Sequence, residues 1–274
     1  MRRLVEKSLN ASFVTTVFNG SGTIERAILS GLEQTVSIVD FIIVDDGSTD
    51  DTLERLEALA AADSRIRLVV AGRVGRRAAL NMGIEQAAGN IIFIQDADDY
   101  SLPGRVAACL PVFAAAEVGI VACAYRAVEL PSGATGERKP PQDHETFVRM
   151  MSGRVPICHT AACFRKQVWV EVGGYQSPSP LIVDLPFWLA TARSSWKFKG
   201  LADVRVVHHY YDQSNFAALY RKRIRASFLF WLNLKAFTHK PSWYIIEGVG
   251  RFVTALVLPT RWRKLLRRPW AGLR

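Results

Sequence analysis

The chain has 274 residues, of which 49% are hydrophobic and 22% are charged. This length and apolar content suit one large domain, or a domain with an appended module, and exclude a chain that is disordered throughout. No stretch reaches the roughly 18 uninterrupted apolar residues that a membrane-spanning helix needs, and residues 1–13 lack the apolar run of a signal peptide. We therefore expect a cytoplasmic protein, peripheral on the inner face of the cell membrane.

The charge is distributed unevenly along the chain. Residues 1–215 carry 22 Lys and Arg against 24 Asp and Glu, whereas residues 216–274 carry 13 against the single Glu247. We call residues 216–274 the basic tail. Such asymmetry indicates an acidic partner for the tail, either an anionic lipid surface or nucleic acid.

The first half of the chain alternates short β-branched runs with stretches of helical periodicity. This alternation is typical of a mostly parallel, Rossmann-like α/β sheet flanked by helices. Strands are predicted at residues 12–18, 38–44, 66–70, 91–95 and 119–125, and helices at residues 23–34, 52–62 and 78–88.

Three further segments follow the predicted sheet. Residues 131–143 are rich in Pro, Gly and charge, which predicts a mobile connection between a first half, about residues 10–125, and a second half, residues 144–215. The basic tail combines apolar and cationic residues at helical spacing, which predicts an amphipathic helical extension that lies in a membrane interface. We therefore divide the chain into a domain at residues 1–215 and the tail.

Four cysteines lie in apolar segments or at spacings that match no common zinc pattern. Buried free thiols are the favoured interpretation for Cys109, Cys123, Cys158 and Cys163. A metal site made of Cys158, His159 and Cys163 is the weaker alternative.

Acidic residues follow the second predicted strand directly. Asp45 and Asp46 come after an apolar run, before Gly47 and Ser48. Ligands of open α/β sheets bind at the carboxyl edge, where a carboxylate can accept hydrogen bonds from a nucleotide base or ribose. The alternative, equally weighted for this motif alone, is that these residues form the turn and cap the next helix.

The same arrangement recurs after the strand at residues 91–95. Asp96, Asp98 and Asp99 place three carboxylates within four residues, in an Asp-x-Asp motif. Their mutual repulsion would be relieved by a divalent cation with oxygen ligands, Mg²⁺ or Mn²⁺, which can also bridge to phosphate. A solvated acidic loop is the alternative.

Together these motifs resemble a known family. Val-Asp-Asp-Gly-Ser-Thr-Asp at residues 44–50, Ala-Leu-Asn-Met-Gly-Ile at residues 79–84 and Asp-Ala-Asp-Asp at residues 96–99 are similar to the family-two inverting glycosyltransferases, which have the GT-A fold and use nucleotide sugars. The resemblance covers about residues 10–215.

The resemblance implies roles for individual residues. Asp46 would contact the nucleotide base, Asp96 the ribose and Asp98 the divalent cation, with Asp99 sharing the last role. The donor would be a UDP-, GDP- or dTDP-sugar. Arg73 stands where the family often has Asn, and the end of the first strand matches the family pattern only in part. Further donor contacts are expected for Thr16, Phe18, Asn19, Asp45, Asn81 and Ala97. Arg76 and Arg77 can contact phosphate as forked donors, and a solvated helix face is the alternative for both.

The resemblance extends into the second half. Asp184 corresponds to the family's catalytic aspartate and is our candidate general base, although the neighbouring acids are replaced by Val183 and Pro186. A helix N-cap is the alternative role for Asp184. A histidine near this end of the family domain can complete the metal site, and the spacing to Ser214 favours His209 as the ligand; a structural role is the alternative.

These expectations define a function and its competitors. An inverting glycosyltransferase would move the sugar to a hydroxyl of a glycan or glycolipid acceptor in cell-surface polysaccharide synthesis, and the tail would hold it at an anionic membrane. One competitor is a nucleotidyltransferase, for which the Gly-rich stretch at residues 19–22 is short. Another is a non-catalytic membrane- or nucleic-acid-binding protein on a degenerate transferase fold. The acidic cleft disfavours nucleic acid, and none is expected as a partner.

Overall fold

The central feature of the fold is a mixed β-sheet that runs through the whole described part of the chain. The structure, a computed structural model, describes residues 8–151, 155–177 and 183–211. Within these residues eight strands follow the order β3-β2-β1-β4-β8-β6-β9-β5, and a ninth, β7, pairs with β6. The predicted helical tail lies outside the described residues.

The first half of the sheet is parallel and is covered by helices, as the alternating sequence pattern predicted. Strands β1, β2, β3 and β4 pair in parallel, which places their carboxyl ends at one edge. The elements are β1 (Ala11–Val17), α1 (Ile24–Leu32), β2 (Asp40–Asp45), α2 (Thr52–Ala62), β3 (Ile66–Val70), α3 (Arg76–Gln86) and β4 (Ile91–Ile94).

The second half continues the same sheet with mixed pairing. Strand β8 lies between β4 and β6 and is antiparallel to both, whereas β6 and β9 pair in parallel. The elements are β5 (Tyr100–Ser101), α4 (Arg105–Cys109), β6 (Val118–Leu130), β7 (Thr135–Arg138), α5 (His144–Met151), β8 (Ala162–Arg165), α6 (Lys166–Glu171), α7 (Leu185–Arg193) and β9 (Lys197–Tyr211).

The sheet separates two apolar layers. One layer packs α3 and the helices of the second half against it, with Trp188 and Phe164 fully buried. The other packs α1, α2 and α4 around the stacked rings of Phe13, Phe41 and Phe93. Alternate residues of β1 therefore face opposite layers, as the two-residue repeat of a strand requires.

The cysteine prediction is confirmed for the thiols inside the core. All four cysteines are free, and Cys109, Cys123 and Cys163 are buried whereas Cys158 is half-buried. The hydrogen bond with Cys109 and burial raise the pKa of Cys123. For Cys109 the bond with Cys123 acts in the opposite direction, but the bond with Cys163 and burial outweigh it and raise the pKa of Cys109. Such thiols are unreactive members of the core.

The prediction of a mobile connection at residues 131–143 is wrong. Strand β6 continues to Leu130, and β7 returns along it as an antiparallel hairpin. Pro140 and Pro141 are buried, and the N–H of Gly200 in β9 donates to the carbonyl of Gln142. Composition favoured a linker here, but strand pairing and packing against β9 fix the segment.

The described helices are all confined to the globular sheet domain. None of them is long and apolar enough to cross a membrane.

The packed connection leads to a stability prediction. A Cβ atom on Gly200 would overlap the carbonyl oxygen of Pro141, which is backbone and cannot rotate away. We expect Gly200→Ala to lower the free energy of unfolding by about 1–3 kcal/mol, the usual cost of overpacking. Gly22→Ala is the matched control, because a Cβ there meets no atom within 4 Å. Chemical denaturation measures both, and equal stability of the two variants would contradict the packed connection.

Candidate active site

The turn after β2 holds two buried carboxylates with different partners. Asp45 accepts hydrogen bonds from the backbone N–H and the hydroxyl of Ser48, so it shapes the turn. Asp46 accepts from the N–H of Gly75, at 2.9 and 3.1 Å for its two oxygens, and lies 3.8 Å from the guanidinium of Arg73. Asp45 therefore forms the turn, as one of the two predictions for this motif states, whereas Asp46 contacts the loop before α3.

Phe18 and Arg73 form an exposed stack beside Asp46. The guanidinium carbon of Arg73 lies 3.3 Å from the centroid of the Phe18 ring. The Arg73 side chain is 57% exposed and Phe18 is 40% exposed. Arg73 has a φ of 70°, a conformation uncommon for residues other than glycine. A planar cation and an aromatic ring at an open sheet edge provide a surface on which a base can stack.

The other predicted contacts of the first strand end lie around this corner. Asn19 has a φ of 53°, and its side chain bonds Thr49 while its N–H donates to Ser48. Thr16 is half-buried in β1, and Ala97 packs partly buried at the edge of the apolar layer. Asn19 therefore ties the β1 and β2 turns together.

Asp96, at the end of β4, is held by two partners. The guanidinium of Arg76 donates to its Oδ1 at 2.6 Å, and Nδ1 of His159 lies 3.3 Å from the same oxygen. Burial opposes ionisation, but the Arg76 charge and the His159 hydrogen bond outweigh it and lower the pKa of Asp96. Asp96 is therefore an ionised carboxylate at neutral pH.

Asp99 is fully buried and also engaged. Its Oδ2 accepts from Nδ1 of His208 at 2.8 Å, and its Oδ1 accepts from the backbone N–H of His209 at 2.7 Å. Burial disfavours the His208 imidazolium, but its bond to Asp99 and the acidic charges prevail and raise the pKa of His208. These contacts join the acidic loop to β9.

Asp98 lies between these two satisfied carboxylates. Within the described part of the chain no other residue hydrogen-bonds to it. Burial, followed by the charges of Asp99 and Asp96, raises the pKa of Asp98 to about 6. The raised pKa shows that an ionised Asp98 is unfavourable beside Asp96 and Asp99 when no cation neutralises it.

The residues around Asp98 fit a divalent cation that is shared with a ligand. Among the described residues, no three or more His, Cys, Asp or Glu side chains form a ready-made metal cluster. Mg²⁺ commonly uses only one or two carboxylates and takes its remaining ligands from water and phosphate. Nδ1 of His209 is buried without a hydrogen-bond partner in the described region, so a nitrogen ligand is also available.

The side chain of Asn81 holds the second half against α3. Its Oδ1 accepts from the indole of Trp169 and the N–H of Tyr175, both at 2.9 Å, and its Nδ2 donates to the Tyr175 carbonyl. Arg77 donates to the carbonyl of Ser177 at 3.2 Å. Asn81 and Arg77 thus bind the segment after α6, and the predicted contact of either residue with the nucleotide sugar stays a prediction.

Asp184 directly precedes α7 in the second half of the chain. It occupies the N-cap position but makes no side-chain cap bond; instead its Oδ2 accepts from the indole N–H of Trp188 at 3.1 Å. The pKa of Arg76 is raised mainly by Asp96 and further by Asp184 and Asp98. The charge of Arg76 therefore interacts with the carboxylates of Asp96, Asp184 and Asp98.

Two residues of this centre were not predicted from the sequence. His159 bridges Asp96 and Tyr175, and Arg105 is fully buried beneath the acidic loop. The Arg105 guanidinium donates to the carbonyls of Ile94 and Ala162 at 3.1 and 3.0 Å. A lone arginine in an apolar helical stretch, soon after an acidic cluster, is the only sequence signal that indicated it.

Two alternatives from the sequence do not match the structure. The N–H groups of Gly20 and Ser21 bond Thr52 and Asp50, so the Gly-rich stretch does not offer them to a phosphate. The metal site of Cys158, His159 and Cys163 is wrong, because Cys163 donates to a strand carbonyl inside the core and no such cluster exists among the described residues.

A parallel sheet of order 3-2-1-4, with carboxylates after β2 and β4, defines an α/β domain of the GT-A type. Residues 12–173 match the family described as Glycosyl transferase family 2. Because this match covers more than half of the sequence, the chain belongs to glycosyl transferase family 2.

The relatives of this chain include chondroitin and hyaluronan synthases. The chain is 31% identical over 206 residues to a chondroitin synthase and to a hyaluronan synthase of Pasteurella multocida, which covers 72% of the chain and 20% of each relative. It is 29% identical over 183 residues to a chondroitin synthase of Escherichia coli, with 65% and 26% covered. The chain thus spans only a fifth to a quarter of the length of these relatives.

Solved structures confirm the fold. The mannosyltransferase PcManGT from Pyrobaculum calidifontis, in complex with GDP-Man and Mn²⁺, gives a TM-score of 0.63 at 19% identity, with 96% of this chain and 79% of that chain covered. S. aureus TarS 1–349, in complex with UDP-GlcNAc, gives 0.61 at 15% identity, with 92% and 82% covered.

Proposed function

We propose that the protein is an inverting glycosyltransferase that transfers a sugar from a nucleoside-diphosphate sugar to a hydroxyl group of a glycan or glycolipid. The observation that carries the proposal is that three neighbouring carboxylates differ in their bonded partners. Asp96 and Asp99 are bonded to cationic or hydrogen-bonding partners, whereas Asp98 has no partner from another described residue. Such a carboxylate at the carboxyl edge of the sheet suits a cation shared with a diphosphate.

The donor would lie along the carboxyl ends of β1, β2 and β4. The exposed stack of Phe18 and Arg73, with Asp46 beside it, offers an aromatic face and an acceptor for the base. Asp96 would contact the ribose, and Arg76 beside it can donate to phosphate oxygens. Related structures in complex with UDP-GlcNAc and with GDP-Man support a UDP-, GDP- or dTDP-sugar as the donor.

Asp98 would hold Mg²⁺ or Mn²⁺, with Asp99 and His209 as the adjoining ligands. When bound, the cation neutralises the negative charge that develops on the leaving diphosphate. The complex of PcManGT contains Mn²⁺, which supports this choice. Asp99 contributes in addition through its bonds to β9, which fix the loop that presents Asp98.

Asp184 would act as the general base. An alcohol is a weak nucleophile at neutral pH, so a carboxylate must accept its proton as the new C–O bond forms. The indole of Trp188 fixes one carboxylate oxygen, which leaves the other for the acceptor hydroxyl. A single displacement with the diphosphate leaving on the opposite face inverts the anomeric carbon.

The acceptor class and the location of the protein are also proposals. Similarity to chondroitin and hyaluronan synthases, and 39% identity over 105 residues to a succinoglycan biosynthesis protein of Rhizobium meliloti, support a role in surface polysaccharide synthesis. The excess of Lys and Arg in the basic tail suits the anionic inner face of a membrane that carries a lipid-linked acceptor.

Removal of the unpartnered carboxylate tests the cation site. We expect Asp98→Asn to lower Mn²⁺-stimulated hydrolysis of the donor by about 10²–10³-fold, because charge stabilisation of the leaving group is lost. Thermal shifts with UDP-, GDP- and dTDP-sugars, with and without Mn²⁺, identify the donor first. Asp203→Asn is the control, since Asp203 is an exposed carboxylate paired with Arg205. The proposal fails if no nucleotide sugar shifts the melting temperature of the wild type in the presence of metal.

Asp184→Asn separates donor binding from transfer. The amide oxygen can still accept from Trp188, so the packing around α7 should be retained. We expect transfer to fall by about 10²–10⁴-fold, the range for loss of general base catalysis, while the Kd of the nucleoside diphosphate stays unchanged. Isothermal titration calorimetry and a transfer assay measure the two quantities. Unimpaired transfer would remove Asp184 from the proposed mechanism.

Charge neutralisation in the basic tail tests membrane attachment. Replacing Arg221, Lys222, Arg223 and Arg225 by Gln removes four positive charges, each worth about 1 kcal/mol at an anionic surface. We expect the full-length variant to sediment poorly with phosphatidylserine liposomes while its donor hydrolysis is unchanged. Replacing Arg55, Arg67, Arg126 and Arg138 by Gln is the charge-matched control. Equal liposome binding by the tail variant and the wild type would contradict the proposed attachment.

A further inference from the structure

His159 lies at the junction of the two halves of the domain and uses both ring nitrogens. It belongs to a short helical turn, His159–Ala161, that leads into β8. Its side chain is only 9% exposed. Nδ1 lies 3.3 Å from Oδ1 of Asp96, and Nε2 lies 2.9 Å from the hydroxyl of Tyr175.

The surrounding groups define the direction of these hydrogen bonds. The guanidinium of Arg76 can only donate, and its close partner at 2.6 Å is the Asp96 oxygen. Nη2 of Arg76 also lies 3.3 Å from Nδ1 of His159. Because an ionised carboxylate is the strongest acceptor within reach of the ring, we assign the ring proton to Nδ1, which donates to Asp96. Nε2 then accepts the hydroxyl proton of Tyr175, which completes a chain from Tyr175 through His159 to Asp96.

Each end of this chain is anchored to a different part of the proposed active site. The backbone of Tyr175 is bonded on both sides by Asn81 of α3, and its ring packs 4.9 Å from that of Phe187 in α7. The His159 ring lies 6.3 Å from that of Trp188, whose indole holds Asp184. The imidazole of His159 therefore contacts Asp96 on one side and lies near Trp188, the partner of Asp184, on the other.

We propose that His159 is a positioning residue that fixes Asp96 relative to Asp184 through its bond to Tyr175. This inference rests on the proposed transferase function. It assigns no contact with substrate to His159. Displacement of reacting groups by about 1 Å can cost 10²-fold in rate. Most of the proposed donor contacts, which are the Phe18–Arg73 pair, Asp46 and the cation site at Asp98, do not involve His159, so the larger effect falls on kcat. The expected signature is a lower kcat at an unchanged KM for the donor.

Isosteric variants separate the two bonds of the ring. The amide of Asn reaches about as far as Nδ1 of histidine, so His159→Asn keeps the bond to Asp96 and loses the bond to Tyr175. Tyr175→Phe removes the same bond from the other side and keeps the ring packing against Phe187. We expect both to lower kcat by a similar factor, and the double variant to lower it no further, because they break one interaction.

The complete loss of the chain should have a larger effect. We expect His159→Ala to lower kcat by about 10–100-fold at unchanged KM. The substrate is the nucleotide sugar with the largest thermal shift in the presence of Mn²⁺. His144→Asn is the control, since His144 is a hydrogen-bonded histidine of the second half that stacks on Phe198, away from the acidic loop. We expect its kcat to equal that of the wild type.

The possible results distinguish this inference from the proposed function. If the wild type neither binds UDP, GDP or dTDP with Mn²⁺ nor hydrolyses their sugars, the proposed function fails and the positioning role fails with it. If the wild type does both, three results overturn only the positioning role. These are an unchanged kcat in His159→Ala, a KM that rises with the loss of kcat, and multiplicative effects of His159→Asn and Tyr175→Phe.

Discussion

Repulsion among the carboxylates at the end of β4 is the constraint on which the arrangement of the site depends. Three acids within four residues cannot all be ionised in a buried loop unless each has its own compensation. The fold supplies Arg76 and His159 to Asp96, and His208 with a backbone N–H to Asp99. Asp98 makes no hydrogen bond or ion pair with any of these groups within the described residues, and its pKa stays raised. The compensation that the protein leaves out is the one that a cation shared with a diphosphate can provide.

The acidic loop is also supported from below by a buried cation. Arg105 donates to the last carbonyl of β4 and to a carbonyl of β8, and its guanidinium carbon lies 5.6 Å and 5.4 Å from the ring centroids of Phe13 and Phe93. A buried guanidinium is tolerable where its donors are bonded and a negative field lies close by. Its partners are two backbone carbonyls and the side chains of Ser101 and Gln95, so Arg105 fixes the position of the strand ends without occupying any of the three carboxylates.

The parallel half of the fold could be predicted from the sequence because the signals for its strands and helices are local. Each of β1, β2 and β4 is an apolar run followed at once by polar turn residues, and helices of apolar periodicity separate them. The hairpin at residues 131–143 was missed because Pro and Gly content describes backbone freedom and not pairing with a distant strand. His159 and Arg105 were missed for the same reason. Their long-range partners are 57 to 83 residues away, and the carbonyl of Ile94 belongs to a strand backbone, so no spacing in the chain reports them.

The position of β8 explains why donor and acceptor functions would not be independent here. This strand is inserted between β4 and β6 and pairs antiparallel with both, so the second half of the chain is built onto the strand that ends in Asp96. The turn that enters β8 carries His159, and the helix that leaves it leads to Tyr175. A displacement of either segment must therefore move a partner of Asp96. A sheet shared in this way transmits geometry through rigid hydrogen-bonded strands, which is the support that closely aligned reacting groups require.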